Sequence, residues 1–311
     1  MCFISLLLQV KMSGVVQQFS IEKEYIKNPD ISPKDIQKLR EWVNTQPHLP
    51  GKYLDDLDLL VTFHCCENSP EVAKQVLDLH FSLRTLFTSY FKDRCFDKKT
   101  EYSLDIVVFA PLPMMLESGY RGFYARLRDP DPRHFSFIDT IRTFMMVFDL
   151  WQYEEGTWPG YVLIIDLDTA VVGHLARVEL MALRQVLYFL QEAMLVKLKG
   201  VHFLNAPNWM DKLMMMLKPF MKKDLLDVIY IHQRNSDSVY KHIPKAALPR
   251  NAGGEYKDFE TIKGKNCVRY NTVFFRDENR RRVNEALRVG KKTTVEDLFG
   301  IQGSFKKLDI D

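Results

Sequence analysis

Asp166 and Asp168 follow the apolar run Tyr161-Val-Leu-Ile-Ile165, a placement that could serve phosphoryl transfer. In such chemistry one carboxylate at a strand end attacks phosphorus and a second, two residues on, handles the proton. Asp224 and Asp227 would then be recruited for magnesium. The signal is weak, because Ala170 stands where that motif carries Thr or Val, and because several elements precede it. The simpler reading is that Asp166 caps a strand end. His202 and His232 fall in two further apolar runs and could meet across a sheet. Two imidazoles without a third ligand of known spacing do not hold zinc. His64-Cys65-Cys66 fails differently, since three adjacent residues cannot converge tetrahedrally on one ion. The chain has no P-loop, no dinucleotide fingerprint and no nucleophile elbow. The expectation is therefore no catalytic residues, no metal and no cofactor.

The segment with the clearest physical character is residues 209–223. Trp209, Leu213, Met216, Leu217 and Phe220 share one helical face, broadened by Met210, Met214 and Met221. Asp211, Met215, Lys218 and Lys222 take much of the opposite side, and Pro219 should interrupt the helix. Methionine is flexible and polarisable, so such a face can line a space that changes shape. A broad apolar face with a lysine border also suits a helix that alternates between covering a cavity and touching a membrane. The alternative is an ordinary crossover helix packed on a core. Lys197 and Lys199 alternate before the next strand and should point the same way. With Lys218, Lys222 and Lys223 they could form one cationic patch for anionic headgroups.

These segments need a scaffold, and the pattern supplies one. Ser32 before Pro33 reads as a helix start, with Ile36, Leu39 and Trp42 at helical spacing. Further helical patterns cover residues 55–63 and 70–90. Past about residue 103 the character changes. Residues 122–127, 161–165, 201–204 and 228–231 read as strands, and residues 135–151, 175–193 and those from 209 read as helices. Short apolar runs alternating with helices indicate a parallel sheet with crossover helices. The tail is expected to hold a strand over residues 271–275 and a basic helix over residues 278–288. Domains are expected at 32–104 (helical), 105–255 (α/β) and 256–311 (tail), after a disordered leader over residues 1–31.

Composition bounds the function. The chain has 311 residues, 46% hydrophobic and 27% charged, with a formal net charge of +3. That charge does not suit a protein that coats nucleic acid. Five cysteines (Cys2, Cys65, Cys66, Cys95, Cys267) form no C-x-x-C pair, and no Asn-x-Ser/Thr acceptor is present. Both facts favour a cytoplasmic setting. The apolar run before Lys11 is a poor signal peptide and falls short of the ~20 residues that span a bilayer. Met12 reads as an alternative start.

Several strings resemble the CRAL-TRIO lipid-binding family, and its tocopherol-transfer and retinaldehyde-binding branch, with its insect members, most of all. They are LQEAMLVKLKGVHFLNAP over residues 190–207, LKPF over 217–220, YKHIP over 240–244 and LPRNAGG over 248–254. Gly119-Tyr120 and the segments 126–132 and 166–174 fit the same pattern. The resemblance covers residues 105–255 strongly and residues 32–93 more weakly. It implies a helical domain followed by a mainly parallel sheet that floors an apolar cavity, closed by a gate helix. It also implies binding of one hydrophobic molecule, such as a tocopherol, retinoid or phosphoinositide, and its delivery between membranes by a non-enzymatic, transiently membrane-associated monomer. The gate corresponds to residues 209–222. The chain departs from the family at Phe63-His-Cys-Cys-Glu67, where relatives carry a basic string, and at Asp224 and Val228 after the gate. Lys197 and Lys199 match basic positions of the tocopherol branch. The residues expected to bound the cavity are Tyr124, Phe144, Phe148, Leu163, Ile165, Val186, Phe189, Leu190, Val196, Leu198, Leu213, Met214 and Leu217. The competing readings are a haloacid-dehalogenase-like phosphatase using Asp166 and Asp168, and a protein-interaction scaffold.

Overall fold

Helix starts in the N-terminal half follow their capping residues. The computed structural model describes residues 15–257 and 267–300. Helix α1 (Ile21–Lys27) begins after Ser20. Helix α2 (Pro33–Asn44) has Pro33 in its first turn, and Ser32 and Asp35 cap each other's backbone. Asp55 and Asp58 do the same for α3 (Asp56–Cys65). Helix α4 (Pro70–Leu86), α5 (Thr88–Phe91) and α6 (Lys98–Ile106) complete this half. Ile36, Leu39, Leu59, Phe63, Leu77 and Phe81 close a small core of their own.

The second half is α/β. Five strands run β1 (Val107–Pro111), β2 (Arg121–Leu127), β3 (Tyr161–Asp166), β4 (Leu198–Ala206) and β5 (Ile229–Gln233), adjacent in that order. β1 pairs antiparallel with β2, and the other pairings are parallel. Helices α7 (Phe137–Glu155), α8 (Leu180–Glu192), α9 (Met210–Leu217) and α10 (Lys223–Leu226) lie between the strands in sequence. The α/β fold expected from the alternation of apolar runs is the fold observed.

Register assigns the two faces. Phe123, Leu163 and Val201 align across β2, β3 and β4, as do Tyr124, Ile164 and His202. The first set joins the large core under α7, α8 and α9. The second faces the other way, where Tyr124, Ile164 and Leu204 pack against Val239, Ile243 and Leu248.

Three expectations are corrected. Residues 15–31 are not a disordered leader: Phe19 N–H donates to the Tyr153 carbonyl, and the buried Glu24 accepts from the Thr157 backbone at 3.2 Å and hydroxyl at 2.5 Å. The rest of that leader, with Cys2 and Met12, lies outside the described residues. The strand expected over residues 271–275 is instead the start of α11 (Thr272–Glu278). Val268, Asn271 and Phe275 are the buried positions there, which is helical and not alternating spacing. The basic helix expected over residues 278–288 does not form. The chain leaves α11 after Glu278, holds only a short 3-10 turn at Glu285–Leu287, and continues to α12 (Val295–Phe299). Its arginines are drawn to separate partners: Arg281 to Asp58 at 2.7 Å, Arg288 to Asp78 at 2.7 Å, and Arg282 to the Arg84 and Phe91 carbonyls.

Candidate lipid site

The inner face of the sheet gathers twelve of the thirteen expected cavity residues into one apolar cluster or against its edge. Tyr124 is the exception. It sits on the outer face, and its hydroxyl donates to Asp166 at 2.6 Å. Strand alternation was read in the wrong phase on β2, and Phe123 is the inward residue.

On the α7 side the interior is filled by rings. Phe144 meets Phe123 edge-on at 5.2 Å, and Phe148 lies 5.9 Å from Trp151 and 5.6 Å from Trp158. Offset and edge-to-face contacts of this kind favour one fixed arrangement. Under α9 the packing is different. Ile165 lies on the central strand, facing inward, yet is only half-buried, while its neighbour Ile164 on the outer face is wholly buried. Leu190, Leu198, Leu213 and Met216 are also half-buried against the same cluster. Some apolar surface thus stays accessible at these five residues, on α9 and on the elements around the large core.

Helix α9 carries most of the segment expected to act as a gate. Met210, Met214 and Leu217 are buried, whereas Met215 on the opposite face is 71% exposed. Trp209 stands at its N-terminus with no side-chain cap. A 3-10 turn over Lys218–Phe220, with Pro219 in it, ends the helix. Sequence reading missed what fixes that end. The Gln191 side chain donates to the Phe220 carbonyl at 3.0 Å and accepts from the Lys222 backbone at 2.7 Å. Lys222 also pairs with Glu192 at 2.5 Å. The gate is clasped at its C-terminal end and uncapped at the other.

The five expected lysines have different surroundings. Lys197 and Lys199 line a groove of about 330 Å³ with Lys27, His64, Cys65 and Glu67. Lys218, Lys222 and Lys223 are exposed at the far end of the gate. Lys197 is bound by Glu67, whose backbone is left-handed (φ 53°) just past α3. The N-terminal half therefore offers a carboxylate to this lysine. Sequence alone gave no signal for that pairing.

The motifs set aside as decoys have structural duties. Asp166 accepts from Tyr124, from the Asn205 side chain at 2.9 Å and from the Asp168 backbone at 3.0 Å. Asp168 holds Arg126 and Arg234. His202 and His232 do meet, Nδ1 to Nε2, at 2.9 Å, and His232 reaches Ser238 at 2.7 Å. Among the described residues no cluster of His, Cys, Asp and Glu could hold a metal ion.

Residues 115–254 match the CRAL/TRIO domain family. Over that stretch this chain is similar to CRAL/TRIO domains. Residues 28–100 match a second family described as the Pinta-like UBA domain. Among curated relatives, clavesin-1 of Xenopus laevis is 26% identical over 251 residues, covering 78% of this chain and 74% of its own. The human alpha-tocopherol transfer protein-like protein is 23% identical over 243 residues, covering 77% and 70%. A crystal structure of Sfh5 aligns over 75% of this chain and 92% of its own, at 9% identity and a TM-score of 0.41. The CRAL/TRIO domain supports binding or transfer of a lipid in general. No helix among the described residues is long and apolar enough to cross a membrane.

Proposed function

We propose that this protein is a non-enzymatic carrier that holds one hydrophobic lipid between the inner face of its sheet and α9, and exchanges it with anionic membranes from the cytoplasm. The observation that supports the reading is the incomplete burial of Ile165, Leu190, Leu198, Leu213 and Met216 against the large apolar cluster to which the methionine-rich helix belongs. Such surface on a central strand is costly in water and suits an apolar occupant. The ring-packed α7 side narrows the available space, so Phe144 and Phe148 act as its wall and Leu163, Val186, Phe189, Val196, Met214 and Leu217 complete it. Trp209, Met216, Phe220 and Met221 would meet the bilayer when the gate opens. Lys197 and Lys199 suit a phosphorylated headgroup, with phosphoinositides among the candidates. A tocopherol or a retinoid fits the apolar space equally well.

The test is extraction. Protein purified from its source tissue is analysed by native mass spectrometry and its lipids are extracted. One lipid per chain is the expected result. Protein that is uniformly empty, and that takes up no tocopherol, retinoid or phosphoinositide from vesicles, overturns the reading.

A further inference from the structure

Cys65 and Cys66 are adjacent in sequence, and their sulfurs lie 3.7 Å apart at the last turn of α3. Cys65 lines the groove that also holds Lys197 and Lys199, and Cys66 is buried behind it. Directly after it come Glu67 and Asn68, both in the left-handed region at φ 53° and 61°. The turn that presents Glu67 is tied to the helix end. Cys66 N–H donates to the Thr62 carbonyl at 3.2 Å, Glu67 N–H to His64 at 3.1 Å and Asn68 N–H to Phe63 at 3.1 Å. Glu67 in turn neutralises Lys197.

From this arrangement we infer that Cys65 and Cys66 form a peroxide-sensitive thiol pair, and that closing it to a disulfide releases Lys197 from Glu67. The release has an effect on membranes only if the headgroup reading of Lys197 above holds. The chemistry balances with a hydroperoxide as oxidant. A thiolate of the pair attacks the peroxide oxygen, the O–O bond breaks, and a sulfenic acid and water result. The second thiol attacks that sulfur, the S–S bond forms, and the departing hydroxide takes the thiol proton as a second water. Each sulfur gives up one electron, and the peroxide is reduced by two. The Cys66 thiol is the better starting point: the hydrogen bond from Cys65 lowers its proton affinity, whereas the same contact and burial raise that of Cys65.

Geometry supplies the mechanical link. Consecutive Cα atoms are held about 3.8 Å apart. Ordinary disulfides span about 4.4–6.8 Å between Cα atoms. The bond between neighbours therefore forms only if the helical turn at residues 65–66 distorts. The hydrogen bonds that aim Glu67 share that turn. A strained, groove-lining disulfide is also readily reduced, which makes the change reversible.

The experiment uses the full chain. Protein is treated with hydrogen peroxide, digested without reductant and mapped by mass spectrometry. Association with phosphatidylserine-containing vesicles is then measured by sedimentation. The expected result is a Cys65–Cys66 disulfide, a roughly fivefold gain in vesicle affinity from one freed lysine, and reversal by dithiothreitol. Reduced Glu67→Gln should already bind at the raised level and ignore peroxide. Cys65→Ser and Cys66→Ala should each abolish the response while leaving reduced binding unchanged. If both thiols stay reduced, or only the exposed Cys95 is oxidised, there is no such pair. If the disulfide forms and Lys197→Glu lowers binding, but peroxide changes nothing, the coupling is wrong and the headgroup reading survives. If Lys197→Glu also leaves binding unchanged, the headgroup reading fails with it, and the inferred release of Lys197 has no effect at the membrane.

Discussion

His202 illustrates how a single side chain on the outer face constrains conditions for the whole domain. Burial, and then the neighbouring His232 and His242, push its pKa from 6.5 down to about 3. In its bond to His232 one ring donates and the other accepts, so the pair cannot be doubly protonated in place. The folded state then binds fewer protons than the unfolded chain. Its contribution is complete above pH 6.5 and is lost as pH falls toward about 3. Each pH unit in that window removes up to about 1.4 kcal/mol. Thermal unfolding from pH 7 to pH 4 should show a shallower decline in Tm for His202→Gln than for the native chain. Identical slopes would mean that the pair does not titrate with folding. The sequence made this contact visible, since the two histidines sit in neighbouring apolar runs. It hid the phase of β2, where Phe123, Tyr124 and Ala125 are all compatible with a strand buried on both faces. Alternation marks a face only when the other face is wet.

At the scale of the element, α9 is held unequally. Gln191 and Glu192 grip its C-terminal end, while Trp209 leaves the other end uncapped. Opening should therefore swing from the Gln191 end. Amide exchange across residues 213–217 should be faster than across β3, slowed by bound lipid and quickened by vesicles. Gln191→Ala should quicken it further without lipid. Exchange as slow as in β3 under every condition would make α9 a fixed crossover helix. The helix itself was legible from its broad apolar face. The clasp was not, because a glutamine 29 residues from Phe220 carries no periodicity that predicts its partner. The tail helix was misread for a related reason. Residues 272–275 are β-branched and aromatic, which favours a strand locally, but the large core takes Phe275 on helical spacing.

For the whole molecule, the proposed function makes long-range charge decide the encounter with a membrane. Lys197 and Lys199 border a groove, and Lys218, Lys222 and Lys223 are exposed after α9, so in the proposed function both groups meet the anionic surface. Reversal of Lys197 and Lys199 to glutamate should slow lipid delivery to anionic vesicles at least tenfold at low salt, with a small effect on lipid binding. The difference should shrink as salt rises. Equal loss of binding and transfer, insensitive to salt, would remove these lysines from the encounter.

Another feature of the whole molecule is the charge cluster that the tail completes. Arg84 and Arg94 share Asp149 at 2.6 Å each, and Glu278 at 2.6 and 3.2 Å. Arg281 joins Asp58 to Glu278. Without Glu278, two buried guanidiniums would face one carboxylate, an imbalance that a low-dielectric interior tolerates poorly. On a ribosome, residues 84, 94 and 149 emerge long before residue 278. The early helices of a nascent chain therefore stay incompletely neutralised until residue 278 has been translated. A chain cut before that residue should hold two arginines that face a single carboxylate.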